Sequence, residues 1–146
     1  MLLKHLLLAF FLVFAAEIEK TDAEWRSLLG RERYNVMRRK ATERAYSGAY
    51  LDEARAGIYS CAACDFPLFE AKDKYTLAGC GWALFTKPIA SKSVVYQEDL
   101  SFAFKRYEVL CRKCESHLGH VFHDGPPPKH LRYTINSIAL KWTEEK

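Results

Sequence analysis

No stretch of this sequence is long and apolar enough to cross a bilayer, which takes about 20 residues; the longest apolar run covers only residues 6–16. Lys and Arg are scattered, without a basic block or an aromatic motif of the kind that stacks on RNA bases. The net charge of +4 therefore supports solubility and gives no ground for a nucleic-acid partner. Internal repeats and low-complexity tracts are absent, and the only proline-rich spot is the stiff turn at residues 126–128. In the second half no helix-length segment separates the short apolar runs, which excludes the parallel crossovers of an α/β sheet.

What is present describes an ordinary globular protein: 146 residues, 49% hydrophobic, 27% charged and 14% aromatic. Residues 1–16 read as a cleaved signal peptide, with Lys4 and His5 as a short basic start, an apolar stretch, and small residues at the end. Export to a periplasm, a secretory lumen or the cell exterior is expected, the alternatives being an uncleaved anchor or a buried N-terminal helix. No cysteine follows the apolar run, so a lipid-anchored form has no attachment point, and no stable membrane insertion is expected after cleavage. Residues 17–146 are expected to form a single domain and, by default, a monomer.

Thr21-Asp-Ala-Glu24 has the form of a capping box and predicts a helix from Asp22 to Leu29, stopped by Gly30. Residues 31–39 resume helical composition with Tyr34 and Met37 on one side, a packing or lid element. From Gly57 the hydrophobic period changes to two. Residues 57–60, 94–97, 100–104, 107–111, 118–122 and 132–140 read as antiparallel strands between Gly, Pro, Asp and Lys/Arg turns. The fold class is therefore mainly β with short N-terminal helices.

The five cysteines fall as two Cys-x-x-Cys pairs, Cys61/Cys64 and Cys111/Cys114, plus Cys80. Two such knuckles supply four thiolates for a tetrahedral structural zinc, and the long intervening stretch means that the ion would clamp distant hairpins together. Two disulfides, or a redox pair, are the alternatives; the redox pair lacks the βαβ setting it needs. Cys80, in Gly79-Cys80-Gly81-Trp82, sits where flanking glycines expose a thiol and an indole on a loop, unless the thiol is inert beside a core Trp. His117, His120 and His123 are close enough to bind a metal or to polarise a substrate oxygen. With the four-cysteine shell complete, the donor role is preferred, while His123 reads equally as packed.

Seven ordered motifs, Thr42-Glu43-Arg-Ala-Tyr-Ser-Gly48, Cys61-x-x-Cys64, Gly79-Cys-Gly-Trp82, Cys111-x-x-Cys114, Ser116-His-Leu-Gly-His-Val-Phe122, Asp124-Gly-Pro126 and Arg132-Tyr-Thr-Ile-Asn-Ser137, resemble those of the B-type peptide-methionine (R)-S-oxide reductases, over residues 25–142. The resemblance implies two small antiparallel sheets clamped by zinc, reduction of methionine-R-sulfoxide in proteins and peptides, and recycling by thioredoxin or a related dithiol carrier. It makes Trp82 the wall for the substrate's S-methyl group. His117, His120, Arg132 and Asn136 would shape and polarise the site, with Glu43 a further participant, and Cys80 would be the resolving cysteine. The nucleophile, Cys or selenocysteine in that family, falls on Thr134.

Threonine cannot replace it. A thiolate attacks the sulfoxide sulfur and ends carrying the oxygen as a sulfenic acid, whereas a hydroxyl ionises far higher and would have to become a peroxide. Ala83-Leu84 also departs from the Pro-Ser that commonly follows the Trp. Three readings remain: a reductase in which Cys80 is the nucleophile, a module that binds the sulfoxide without turnover, or a chain altered at this one position.

Overall fold

The computed structural model describes residues 17–145, so the expected signal peptide lies outside it. Two short helices open the described chain. In α1 (Asp22–Leu29) the Thr21 hydroxyl accepts the Glu24 N–H at 3.2 Å, and the Glu24 carboxylate accepts the Thr21 N–H at 3.3 Å. Trp25 and Leu29, one turn apart, bury the inner face. Gly30 ends it with φ 72° and ψ 167°, a region open essentially to glycine alone, and α2 (Arg31–Arg39) starts at once, burying Tyr34, Val36 and Met37.

The rest is antiparallel β, in two sheets. One has three strands in the order β2-β1-β9, where β1 is Gly57–Cys61, β2 Pro67–Glu70 and β9 Leu140–Glu144. The other has six, in the order β3-β4-β8-β7-β6-β5: β3 is Lys74–Tyr75, β4 Ala83–Phe85, β5 Val94–Asp99, β6 Arg106–Cys111, β7 His117–Phe122 and β8 Arg132–Ile135. The sheets meet through aromatic rings. Phe69 of β2 stacks on Phe85 of β4 at 4.4 Å between centroids, and Tyr59 of β1 meets Phe85 edge-on at 5.2 Å.

Two expectations are corrected. Residues 100–104 are apolar but form no strand. The Asp99 carboxylate accepts both the N–H and the hydroxyl of Ser101, which turns the chain out of the sheet into a β5–β6 loop. The run 132–140 is two strands in different sheets, separated by a 3₁₀ turn (Ser137–Ala139). The break has a cause: the Glu43 carboxylate accepts the N–H groups of Ser137 at 2.7 Å and Ile138 at 3.0 Å, which leaves them unavailable to a ladder. Strands β2, β3 and β4 are too short for their alternation to stand out.

β7 and β8 lie unusually close at Gly119, where an added Cβ would sit 2.0 Å from the Thr134 carbonyl oxygen. Gly119→Ala must therefore push the two central strands apart. A loss of about 1–3 kcal/mol is expected, read as a lower urea midpoint.

Candidate functional site

The four paired cysteines end up together although they come from different sheets. Cys61 closes β1 and Cys111 closes β6, and each opens a knuckle of the same construction. Asp65 N–H donates to the Cys61 carbonyl at 2.8 Å, as Glu115 N–H does to that of Cys111 at 2.8 Å. Asp65 and Glu115 both take left-handed backbone, at φ 63° and 58°. The chain returns through Cys61 N–H to the Phe66 carbonyl at 2.8 Å and Cys111 N–H to that of Ser116 at 2.9 Å. The four Sγ atoms lie within 4.8 Å of one another, with Cys61–Cys114 and Cys64–Cys111 both at 3.7 Å. Sulfurs at 2.3 Å from one ion at tetrahedral angles would be about 3.8 Å apart, whereas a disulfide needs about 2.05 Å. All five cysteines are free thiols, so the donor set fits a tetrahedral metal and not the disulfide alternative. Arg38 of α2 braces the second knuckle, donating to the Cys114 carbonyl at 2.8 Å and the Ser116 hydroxyl at 3.2 Å while stacking on Trp25 at 4.4 Å.

The second candidate region is a cleft of about 400 Å³ on the outer face of the six-stranded sheet. Strand alternation builds it. On β8, Tyr133 and Ile135 point into the core while Arg132 and Thr134 face out. Register then sets Thr134 directly between Leu84 of β4 and His120 of β7, and Arg132 opposite Phe122. Arg132 donates to the Thr134 hydroxyl at 3.0 Å, binds Asp124 through Nε at 2.7 Å and Nη2 at 3.0 Å, and stacks on Phe122 at 4.4 Å. Asp124 raises the Arg132 pKa further, and the cation beside Thr134 is permanent. The loop between β3 and β4 brings Cys80 and Trp82 to the same cleft. Its turn is held by Cys80 N–H on the Leu77 carbonyl at 3.0 Å, and the Trp82 indole donates to the Glu43 carbonyl at 3.1 Å.

Of the residues predicted from sequence, Cys80, Trp82, His120, Arg132, Thr134 and Asn136 line this one cleft. Asn136 is buried with its amide committed to the frame, Nδ2 donating to the Leu118 carbonyl at 3.0 Å and Oδ1 accepting the Glu43 N–H at 3.0 Å. Glu43 and His117 stand behind the wall. The Glu43 carboxylate is turned onto the 3₁₀ turn, as described above. The His117 ring is buried behind His120, 5.5 Å between centroids, with Nδ1 3.6 Å from the Glu108 carboxylate. Burial alone would raise the Glu108 pKa, but His117 and Lys40 beside it hold it below the ordinary value.

Sequence reasoning missed the pair that orients His120. Asp99 accepts from His120 Nε2 at 2.8 Å and from Arg106 Nη2 at 2.9 Å. Hydrogen bonds from Ser101 and His120 keep the Asp99 carboxyl well below the usual range, so it is an acceptor only and the imidazole must present Nε2–H to it. Burial pushes the His120 pKa down, against the Asp99 bond, and Arg106 and His117 push the same way. His120 is therefore neutral at pH 7, with its one N–H committed to Asp99. A polar alternation on β5 and β6 hides such a pair among surface charges.

The SelR domain family matches residues 29–144. The chain belongs to this family, the B-type methionine sulfoxide reductases. Among its curated relatives are the peptide methionine sulfoxide reductases MsrB of Pseudomonas fluorescens, 52% identical over 124 residues that cover 85% of this chain and 95% of that protein, and of Pseudomonas putida, 52% identical over 124 residues covering 85% and 94%. The MsrB of Azotobacter vinelandii is 48% identical over 125 residues, covering 86% and 93%. Zinc in the four-cysteine cluster is consistent with this family.

Because four sulfurs from the two knuckles converge on one point, Cys61→Ser should abolish metal binding there and destabilise the protein by several kcal/mol or more. Metal analysis and thermal unfolding of the same preparation check both.

Proposed function

We propose that the cleft receives methionine-R-sulfoxide of peptides and proteins for thiol-dependent reduction, and that Thr134 makes the chain as it stands a slow or silent catalyst. The observation that carries this reading is the setting of Thr134. Its hydroxyl lies in the cleft, hydrogen-bonded to Arg132 at 3.0 Å, beside His120 in the register of the sheet, with Cys80 and Trp82 on the adjoining loop.

A thiolate at position 134 would be stabilised by Arg132, whereas the threonine hydroxyl stays protonated and cannot take the oxygen. With a thiol there, its sulfur attacks the sulfoxide sulfur; as the substrate S–O bond breaks, the protonated oxygen passes to the attacking sulfur, giving a sulfenic acid and releasing the thioether. Attack by Cys80 on that sulfenic acid would give a disulfide and water, and a thioredoxin-like dithiol would return both thiols. Trp82, fixed through its indole N–H, supplies an apolar wall for the S-methyl group. His120 donates to the sulfoxide oxygen only as the imidazolium, since the neutral ring's N–H is held by Asp99. Glu43, Asn136 and His117 position rather than touch the substrate. Zinc held by Cys61, Cys64, Cys111 and Cys114 is structural in this reading. The chain is exported as a monomer after loss of residues 1–16; among the described residues no helix is long and apolar enough to cross a membrane. A second reading, a module that binds the sulfoxide without turnover, is favoured by the same threonine.

The chain, Thr134→Cys and Cys80→Ser are assayed side by side on methionine-R-sulfoxide with a small dithiol. Thr134→Cys should raise the rate on the order of a hundredfold or more, given what misplacing a reacting atom costs. Activity in the unaltered chain abolished by Cys80→Ser would assign the chemistry to Cys80; strong activity surviving that change would sink the reading.

The introduced thiol should also be alkylated by iodoacetamide with a midpoint below the ordinary thiol value of about 8.5, because the neighbouring cation favours the charged form. In that variant the sulfoxide step should weaken as pH rises towards 7, since burial lowers the His120 pKa and the imidazolium is lost at lower pH than an exposed imidazole would lose it.

A further inference from the structure

Beyond the cleft, large apolar side chains face solvent at both edges of the six-stranded sheet. The β5–β6 loop carries Leu100 at 72% exposure, Phe102 at 56% and Phe104 at 57%, while Leu77, 56% exposed, stands on the β3–β4 loop and lines the cleft. Strands β3 and β5 are the two edges of that sheet, and β8 and β7, which carry Thr134 and His120, run between them. The apolar loops therefore flank the cleft on opposite sides. Solvent-facing apolar groups clustered this way mark an interaction surface more often than chance exposure does.

The aromatic tip is built into the cleft's own frame. Phe102 and Phe104 meet edge-on at 5.3 Å, and the Arg106 guanidinium lies over Phe102 at 4.7 Å. Arg106 also lines the cleft and binds Asp99, the carboxylate that holds His120 and the Ser101 turn. One carboxylate thus fixes both the imidazole and the loop that presents the rings.

We infer that the tip at Phe102 and Phe104, with Leu77 across the cleft, is a docking surface for an extended polypeptide whose methionine sulfoxide is flanked by large apolar side chains. The inference rests on the proposed function and names the substrate class of that same site. Its occupant follows from continuity with the cleft and from where methionine resides. Methionine is among the most often buried residues, so its sequence neighbours include core Leu, Ile and Phe, and its oxidation disrupts the core that contained it. A chain opened by that damage offers the sulfoxide and the apolar flanks together. Aromatic rings held at a fixed angle bind such flanks with little ordering cost.

The test uses the unaltered chain without reductant, so that binding is read without turnover. Calorimetry compares N-acetyl-methionine-R-sulfoxide amide, a heptapeptide with Leu and Phe around the R-sulfoxide, one with Gly and Ser in their place, and the apolar heptapeptide with unoxidised methionine. The apolar sulfoxide peptide should bind at least about tenfold more tightly than the polar one. Phe102→Ser/Phe104→Ser should reduce that ratio to about twofold or less while leaving the N-acetyl amide unchanged, which also shows the cleft to be intact; Phe102→Leu/Phe104→Leu should keep most of the preference. Equal binding of the two sulfoxide peptides, or a preference that survives the Ser pair, overturns the inference. So does loss, in the Ser pair, of binding to phosphatidylglycerol vesicles or of a concentration-dependent dimer, where no peptide preference exists. If the N-acetyl amide does not bind at all, the sulfoxide reading fails instead, and the tip is judged by whether the unoxidised apolar peptide binds the chain and not the Ser pair.

Discussion

Everything in this structure depends on two ladders of different sheets ending at one point. β1 and β6 finish at Cys61 and Cys111, and each chain reverses through the same left-handed turn to bring a second sulfur back to that point. Further connections between the sheets are the aromatic layer of Tyr59, Phe69 and Phe85 and two passages of the chain, from β2 through the 3₁₀ turn Ala71–Asp73 to β3 and from β8 through the 3₁₀ turn Ser137–Ala139 to β9. None of these fixes the relative tilt of two small sheets as closely as four thiolates on one metal ion would. Arg38 carries that constraint into the helices, and through α2 to the rear wall of the cleft at Lys40 and Glu108.

The cleft in turn is a product of strand register. Thr134, His120 and Arg132 need no special loop to meet; the pleat turns them outward and the antiparallel pairing puts them side by side. What lies behind them is a polar scaffold. Glu43 terminates β8 by taking two backbone N–H groups, receives the Trp82 indole on its carbonyl and ties to Asn136 through its own N–H. Glu43 thus ties its own segment to the Trp82 loop through its backbone and to the turn after β8 through its carboxylate, which explains why a charged residue lies so near a reactive face without touching its contents.

Much of this was legible beforehand because its signals are local. A capping box, a Cys-x-x-Cys turn and a two-residue alternation are each contained in a few consecutive residues, so α1, the knuckles and the antiparallel β character of the second half follow from composition and spacing alone. The motif order supplied the family and most residues of the cleft. Long-range partners were not legible: Asp99 with His120, and Glu43 with the N–H groups that end β8, are pairs whose members are far apart in sequence and ordinary in type. The apolar run at residues 100–104 misled for a related reason, since hydrophobicity and period cannot tell a strand from a loop whose turn is set by one preceding carboxylate.

That carboxylate divides the neighbouring residues by how much change they tolerate. Ser101, Arg106 and His120 all bind Asp99, so altering Asp99 disturbs the imidazole as well as the loop. Leu100, Phe102 and Phe104 hang from this frame exposed to solvent, and a change there alters chiefly what the loop presents, with Phe102 also touching the Arg106 guanidinium. The direction in which the loop points and the chemistry it offers are thus held by different residues. A fold arranged in this way can diverge in what it grips while its reacting face stays where it is.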